Sequence, residues 1–192
     1  MNNNHITVTA YRRKETPIYQ AKYFEIGDEI LVGGEEYTAT CMKKTKKGHA
    51  LFVFNDYLDE ARPMNQADTN DGGWEACDLR KWLKEHENDI LGNLKDFAIP
   101  FKNGDLLRLP YAEELFGELN WVEPSGKKRW LMMTNRRYRL ANRKDKYEFG
   151  WLMNKYKNSA AAFAFVTDGG HAGGTDASGS LGVRPVFRLG EK

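Results

Sequence analysis

The chain has 192 residues and a net charge of +2, which suits one domain, because a domain of this size buries roughly 70% of its unfolded surface. Its 41% hydrophobic and 29% charged residues exclude a disordered tail and a membrane protein. The longest apolar run, 160–166, is too short to span a bilayer and the first residues lack a secretion signal, so we expect a soluble cytoplasmic or virion-associated protein with no membrane partner.

The first half of the chain predicts a three-stranded antiparallel meander. The expected strands are Glu29–Val32, 35–42 and Ala50–Phe54. Gly33-Gly34 supplies the two positive φ angles of one tight turn, and a Lys-Lys-Gly sequence closes the second. The two cysteines lie far apart in apolar patterns, so Cys41 and Cys77 are expected to be buried free thiols.

Two helices follow the meander in the predicted order. A polar loop over 55–73 leads to an amphipathic helix that begins at Trp74 and presents one apolar face: Leu79, Trp82, Leu83 and Ile90. A shorter helix is predicted within 109–117, where proline stands in the first turn and glycine just past the end. All five tryptophans are expected in the core.

The last third of the chain predicts further short strands at 129–134, 160–167 and 183–189. The glycine-rich stretch 169–182 between the last two is interpreted as a long hairpin connection. The expected fold is therefore α+β, with short antiparallel strands, two helices and long loops. We expect a single domain over 1–192, with its core at about 20–190 and residues 1–20 loosely attached.

Five segments in this order carry a resemblance. They are Trp-Glu-Ala-Cys-Asp-Leu-Arg-Lys-Trp-Leu at 74–83, Leu-Pro-Tyr-Ala-Glu-Glu at 109–114, Trp-Leu-Met-Met-Thr at 130–134, Trp-Leu-Met-Asn at 151–154 and Gly-Val-Arg-Pro at 182–185. The chain resembles an uncharacterised family of bacterial and phage domains related in fold to C-type lectins and to the formylglycine-generating enzyme. It departs from the family pattern at Met153-Asn154, where Arg-Ser is usual, and at Cys77, where serine is common.

The resemblance implies a C-type-lectin-like fold, similar to the variable ligand-binding proteins of diversity-generating retroelements. In that fold type Arg184 is expected to be partly buried and paired with an acid. Exposed side chains over 135–180 would then contact a protein or glycan partner, and the protein would be a non-enzymatic recognition module. The candidate ligand-binding residues are Arg136, Arg137, Tyr138, Arg139, Asp168, His171 and Asp176.

The stretch 127–146 supports a less favoured alternative, which is nucleic-acid binding. It contains nine basic residues, namely Lys127, Lys128, Arg129, Arg136, Arg137, Arg139, Arg143, Lys144 and Lys146, with Trp130 and Tyr138 among them. Clustered cations with interleaved aromatics can follow a phosphate backbone. A solvated loop whose charge is balanced by Glu113, Glu114 and Glu118 explains the same pattern.

Catalytic and metal sites are not expected. Asp168, His171 and Asp176 are scattered on one glycine-rich loop, and the calcium-like run 68–73 has Leu79 where a bidentate glutamate is needed. Ser178, His171 and Asp176 are close neighbours on that loop, which seldom supplies triad geometry. The formylglycine-generating enzyme uses two cysteines near its carboxyl end, and this chain has none there, so that oxidase is the disfavoured enzyme alternative. No cofactor is implied.

Overall fold

A computed structural model describes residues 23–190 as a mixed α+β fold with antiparallel sheets and short helices. The expectation for residues 1–20 lies outside the described residues. Among residues 23–190 no helix has both the length and the apolarity needed to cross a membrane.

The predicted meander forms and recruits the end of the chain as a fourth strand. Its order is β1-β2-β3-β9 with every pair antiparallel, where the strands are β1 Glu29–Val32, β2 Tyr37–Lys44, β3 Ala50–Phe54 and β9 Val186–Leu189. Gly33 and Gly34 have φ of 64° and 70°, as the predicted tight turn requires. Residues 183–185, which lead into β9, are buried.

The helix predicted from Trp74 is divided into three short helices, α1 Gly73–Ala76, α2 Asp78–Glu85 and α3 Glu87–Leu91. Cys77 causes the first break, because its backbone is extended and its Sγ accepts the N–H of Arg80 at 3.3 Å as the N-cap of α2. Leu79, Leu83 and Ile90 are buried as predicted. Trp82 is only half-buried and lies beneath the guanidinium of Arg62, 3.9 Å from the ring centroid.

A buried polar network holds the second predicted helix, α4 Ala112–Phe116. Arg108 forms two hydrogen bonds of 2.7 Å with the Glu114 carboxylate, and Asn154 donates to Glu113 at 2.9 Å. Burial alone would raise the pKa of Glu113, but hydrogen bonds from Ser125 and Asn154 outweigh burial, and the net pKa is lowered. The prediction that Glu113 and Glu114 balance the basic loop is therefore wrong, because both are buried and engaged in the core.

The second sheet, of order β6-β7-β8, corrects two predictions. Its strands are β6 Gly150–Lys155, β7 Ala162–Val166 and β8 Ala172–Asp176, so part of the predicted glycine-rich connection is a strand. Two shorter strands before it, β4 Asn142–Arg143 and β5 Lys146–Tyr147, form a separate antiparallel pair. A Cβ at Gly173 would lie 2.6 Å from the Phe165 ring and one at Gly174 would lie 2.5 Å from the Tyr156 ring, so these glycines let aromatic rings cover β8. The segment predicted as a strand at 129–134 contains instead a 3₁₀ helix, Leu131–Thr134.

The core consists of two hydrophobic clusters. Trp74, Trp130 and Trp151 are buried, whereas Trp82 and Trp121 pack against the clusters half-buried. Cys41 and Cys77 are buried free thiols, as predicted. Burial raises the pKa of each thiol to about 11, so both are protonated near neutral pH.

Alkaline pH should destabilise the fold through Cys77. Burial raises its pKa from 9.0 to about 11. The contribution of the neutral Cys77 thiol to the free energy of unfolding is therefore complete below the unfolded-state pKa, and it is lost as pH rises through the folded-state pKa. We expect the free energy of unfolding to fall by about 2 kcal/mol from this thiol over that range, with a further fall from Cys41. Urea unfolding at pH 8 and pH 11 measures it.

Cys77→Ser is the matched variant, because serine keeps an N-cap oxygen but does not titrate in this range. The difference in unfolding free energy between pH 8 and pH 11 should be smaller in the variant by about 2 kcal/mol. An identical decline in both proteins would show that Cys77 is not a buried neutral thiol.

Candidate functional site

The candidate site is built on a 3₁₀ helix, Arg136–Arg139, which we call the arginine turn. Asn135 begins it by accepting the N–H of Arg137 on its side-chain oxygen at 3.0 Å. In a 3₁₀ helix residues three apart are eclipsed. Arg136 and Arg139 therefore lie on one edge of the turn, whereas Arg137, which is exposed, lies about a third of a turn away.

Buried Arg184 anchors the arginine turn from below. It donates from Nη1 to the carbonyls of Tyr138 at 3.1 Å and Arg139 at 3.4 Å. Its Nε donates to the carbonyl of Phe54 at 2.7 Å and its Nη2 to that of Asn55 at 3.2 Å. Burial lowers the pKa of Arg184.

The prediction that Arg184 pairs with an acid is wrong. Over residues 23–190 no carboxylate lies within 4.0 Å of its guanidinium, although Tyr57 and then Asp56 oppose the effect of burial on its pKa. Backbone carbonyls take the place of the expected carboxylate. Arg184 therefore joins the end of β3 to the arginine turn.

The turn between β7 and β8 contacts the arginine turn. Gly170 has a φ of 73°, and a Cβ there would lie 2.9 Å from Cγ of Arg136, so only glycine suits both the backbone and the contact. His171 follows it, with its N–H donating to Oγ1 of Thr167 at 3.0 Å. Its ring Nε2 lies 3.4 Å from Nη1 of Arg136.

Two arginines, Arg129 and Arg139, contact Phe116 at the end of α4. The guanidinium carbon of Arg139 lies 5.1 Å from the centroid of the Phe116 ring, and Arg129 donates to the Phe116 carbonyl at 3.4 Å. We call Arg129, Arg136 and Arg139 the arginine cluster. Burial, followed by the charges of the other two arginines, lowers the pKa of Arg139.

The arginine cluster lacks the usual ionic partners. Within the described part of the chain, none of its three guanidinium groups has a carboxylate within 4.0 Å, and the buried Nε of Arg139 has no hydrogen-bond partner. By contrast, Arg143 of the same basic stretch pairs with Glu148 at 2.6 Å. The cluster is therefore a local concentration of unbalanced positive charge.

The structure brings together only some of the predicted site residues. Asp168 is exposed in the same turn as His171, but Asp176 is exposed at the opposite end of β8, about 16 Å along the strand from His171. Ser178 follows Asp176 beyond the end of β8, so His171 lies at the other end of the strand from both and the three residues do not form a triad. Over residues 23–190 no three His, Cys, Asp or Glu side chains are grouped as metal ligands.

Sequence reasoning missed two parts of this surface. Arg129 was counted in the basic stretch but not among the site residues, because its proximity to Arg139 depends on how α4 packs. The exposed apolar side chains were also missed: Leu131 at 71%, Tyr147 at 53% and Phe149 at 41% exposure. Phe149 stacks on Phe165, with the ring centroids 5.2 Å apart, so β7 supports it.

Comparisons of the chain with protein-family models, with curated proteins and with solved structures find no match.

Gly170→Ala tests the contact between the two turns. We expect it to lower the free energy of unfolding by about 1–2 kcal/mol, because alanine at positive φ is strained and its Cβ would displace Arg136. The control is Gly179→Ala, whose φ lies outside the left-handed region and whose nearest neighbour would be the Asp176 carbonyl at 3.4 Å. Urea unfolding should show a change below about 0.5 kcal/mol there. Equal costs at both positions would contradict the described turn.

Proposed function

We propose that the protein is a non-enzymatic recognition module with a C-type-lectin-like fold, and that it binds a protein or glycan partner. The recognition face, as we define it, consists of the exposed side chains of residues 129–149 and of the 167–171 turn. The resemblance of the five sequence segments supports a bacterial or phage origin, in the cytoplasm or a virion.

The composition of the recognition face carries the proposal. It combines the unpaired arginine cluster with four of the large apolar side chains that are exposed: Leu131, Tyr138, Tyr147 and Phe149. Arginine and aromatic residues are enriched at protein interfaces and supply most of their binding energy. A protein partner with acidic groups therefore suits this face better than a neutral glycan.

A glycan would be better suited by another part of the surface. A shallow depression at the opposite end of β8 is lined by Tyr156, Ser159, Thr175 and Asp176, and Tyr156 packs on Trp121 with their ring centroids 5.3 Å apart. Aromatic and hydroxyl groups of this kind contact sugars. This region includes Asp176, the predicted site residue that lies far from the arginine turn.

The buried thiols argue against the oxidase alternative. A reactive cysteine is ionised or easily ionised, whereas burial raises the pKa of Cys41 and Cys77 to about 11. Cys77 is occupied as the N-cap of α2. Both thiols therefore contribute to packing in this proposal, and no cofactor is part of it.

Nucleic-acid binding through 127–146 is the second candidate, and the unpaired arginine cluster favours it. A duplex that displaces counterions from this surface would bind with an affinity that falls steeply as salt rises. Replacing Arg136, Arg137 and Arg139 with alanine should weaken such binding to every sequence alike. A flat salt response would reject this candidate.

Partner capture tests the recognition face. The triple variant Arg137→Ala, Tyr138→Ala and His171→Ala should lose the proteins that the wild type retains from bacterial lysate, because it removes a cation, an aromatic contact and the ring beside Arg136. Its melting temperature should change little, because all three side chains are exposed.

The control triple variant, Leu31→Ala, Lys47→Ala and Lys84→Ala, removes exposed side chains from β1, the β2–β3 turn and α2. It should retain the same captured proteins as the wild type. Capture that survives the first triple variant, or is lost equally in both, would place the binding site elsewhere.

A further inference from the structure

Building on the recognition face proposed above, we infer that the arginine cluster binds one doubly charged oxyanion, a phosphomonoester group on a protein partner. The cluster has the donors, the charge and the rigid support for such a group. A phosphomonoester carries close to two negative charges near neutral pH and three strong acceptor oxygens.

The three guanidinium groups are held near one another by separate elements of the fold. Arg136 and Arg139 share one edge of the arginine turn because of its 3₁₀ geometry. Arg129 and Arg139 both contact Phe116, through its carbonyl and its ring respectively. Arg184 fixes the backbone beneath them. The backbone that carries Arg136 and Arg139 is therefore fixed before binding, which lowers the entropy cost of binding.

The free protein leaves this cluster electrostatically unsatisfied. Three like charges are held together with no carboxylate within 4.0 Å among residues 23–190, and the buried Nε of Arg139 has no acceptor. An oxyanion bound by the outer nitrogens of these guanidinium groups would relieve their mutual repulsion. Guanidinium forks match phosphate oxygens in geometry as well as in charge.

The local arrangement favours a monoester over a nucleic-acid backbone. Each phosphodiester carries a single charge, so a backbone suits cations spread along a track, whereas here the charges of Arg129 and Arg136 both act on Arg139. Two other cations of the basic stretch are engaged elsewhere, since Arg143 pairs with Glu148 and Lys127 lies 5.3 Å from the centroid of the Tyr111 ring. Exposed Leu131 and Tyr138 would contact the peptide that carries the phosphate.

Titration with inorganic phosphate tests this inference without an identified partner. Near pH 7.5 phosphate is largely dianionic. At constant ionic strength, the ring signals of His171 in NMR spectra should shift with saturable dependence on phosphate, because His171 lies beside Arg136. The signals of His49 and His86, on other elements, serve as internal controls. Dimethyl phosphate and acetate, which carry one charge, should bind at least about tenfold more weakly.

Glutamine substitutions locate the binding site. Arg136→Gln and Arg139→Gln should each weaken phosphate binding by about tenfold, because each removes a charge-assisted hydrogen bond. Arg137→Gln removes the same charge from the same turn but from another side, so it should weaken binding by no more than about twofold. Lys84→Gln, on α2, should leave the affinity unchanged.

Several outcomes would overturn the inference. These are phosphate binding no tighter than acetate, equal weakening by Arg137→Gln and Arg136→Gln, and a short DNA duplex that binds while inorganic phosphate does not. A phosphorylated sugar that binds more tightly than O-phosphoserine would overturn the assignment to a protein partner. If the triple variant loses partner capture but the wild type does not bind phosphate, the recognition face is supported and only the oxyanion site is rejected.

Discussion

Arg184 is buried without a carboxylate partner, and much of the structure follows from how its charge is accommodated. Removing a guanidinium from water costs several kcal/mol unless its donors are satisfied. Here the acceptors are the carbonyls of Phe54, Asn55, Tyr138 and Arg139. These carbonyls belong to the end of β3 and to the arginine turn, so satisfying one side chain requires both segments to converge on Arg184, just before β9.

That convergence gives the recognition face a rigid base. The arginine turn is short and has few intrahelical hydrogen bonds of its own, so isolated 3₁₀ geometry would be poorly held. Two neighbours restrain the arginine turn. Arg184 holds its backbone from below, and the β7–β8 turn packs beside it, with Gly170 against Arg136. Phe116 adds a third support through Arg129 and Arg139. The exposed arginines thus project from a backbone that is fixed before any partner arrives.

Much of the fold could be predicted from local patterns, whereas its irregular parts could not. The meander, the apolar face of α2 and the buried thiols follow from alternation, helical spacing and turn chemistry. The break at Cys77 could not be predicted, because a thiol is an uncommon N-cap. The strand at Gly173 and Gly174 could not be predicted, because glycine usually marks loops. The rings that cover these glycines come from Phe165 in β7 and from Tyr156, which follows β6.

The candidate site was predictable in composition but not in geometry. Of the four neighbours predicted from sequence, Arg136, Arg137 and Tyr138 are exposed, whereas Arg139 is half-buried. Long-range packing determines which charged groups lie close together. Arg129 joins the cluster because it contacts Phe116, whereas Asp176 lies at the far end of β8. Glu113 and Glu114 are buried in the core. The acid expected beside Arg184 came from the fold type that the resemblance implies. The backbone carbonyls that replace it leave no signal in a sequence, because every residue has one.

Hydrogen exchange in Arg184→Lys tests the anchoring role of Arg184 most directly. Lysine keeps the charge but replaces the planar fork with one compact ammonium, so it cannot reach both segments at once. We predict that the amides of Tyr138 and Leu140, which donate within the turn, exchange at least about tenfold faster relative to those of β7 than in the wild type. An unchanged ratio between the turn and β7 would contradict the account.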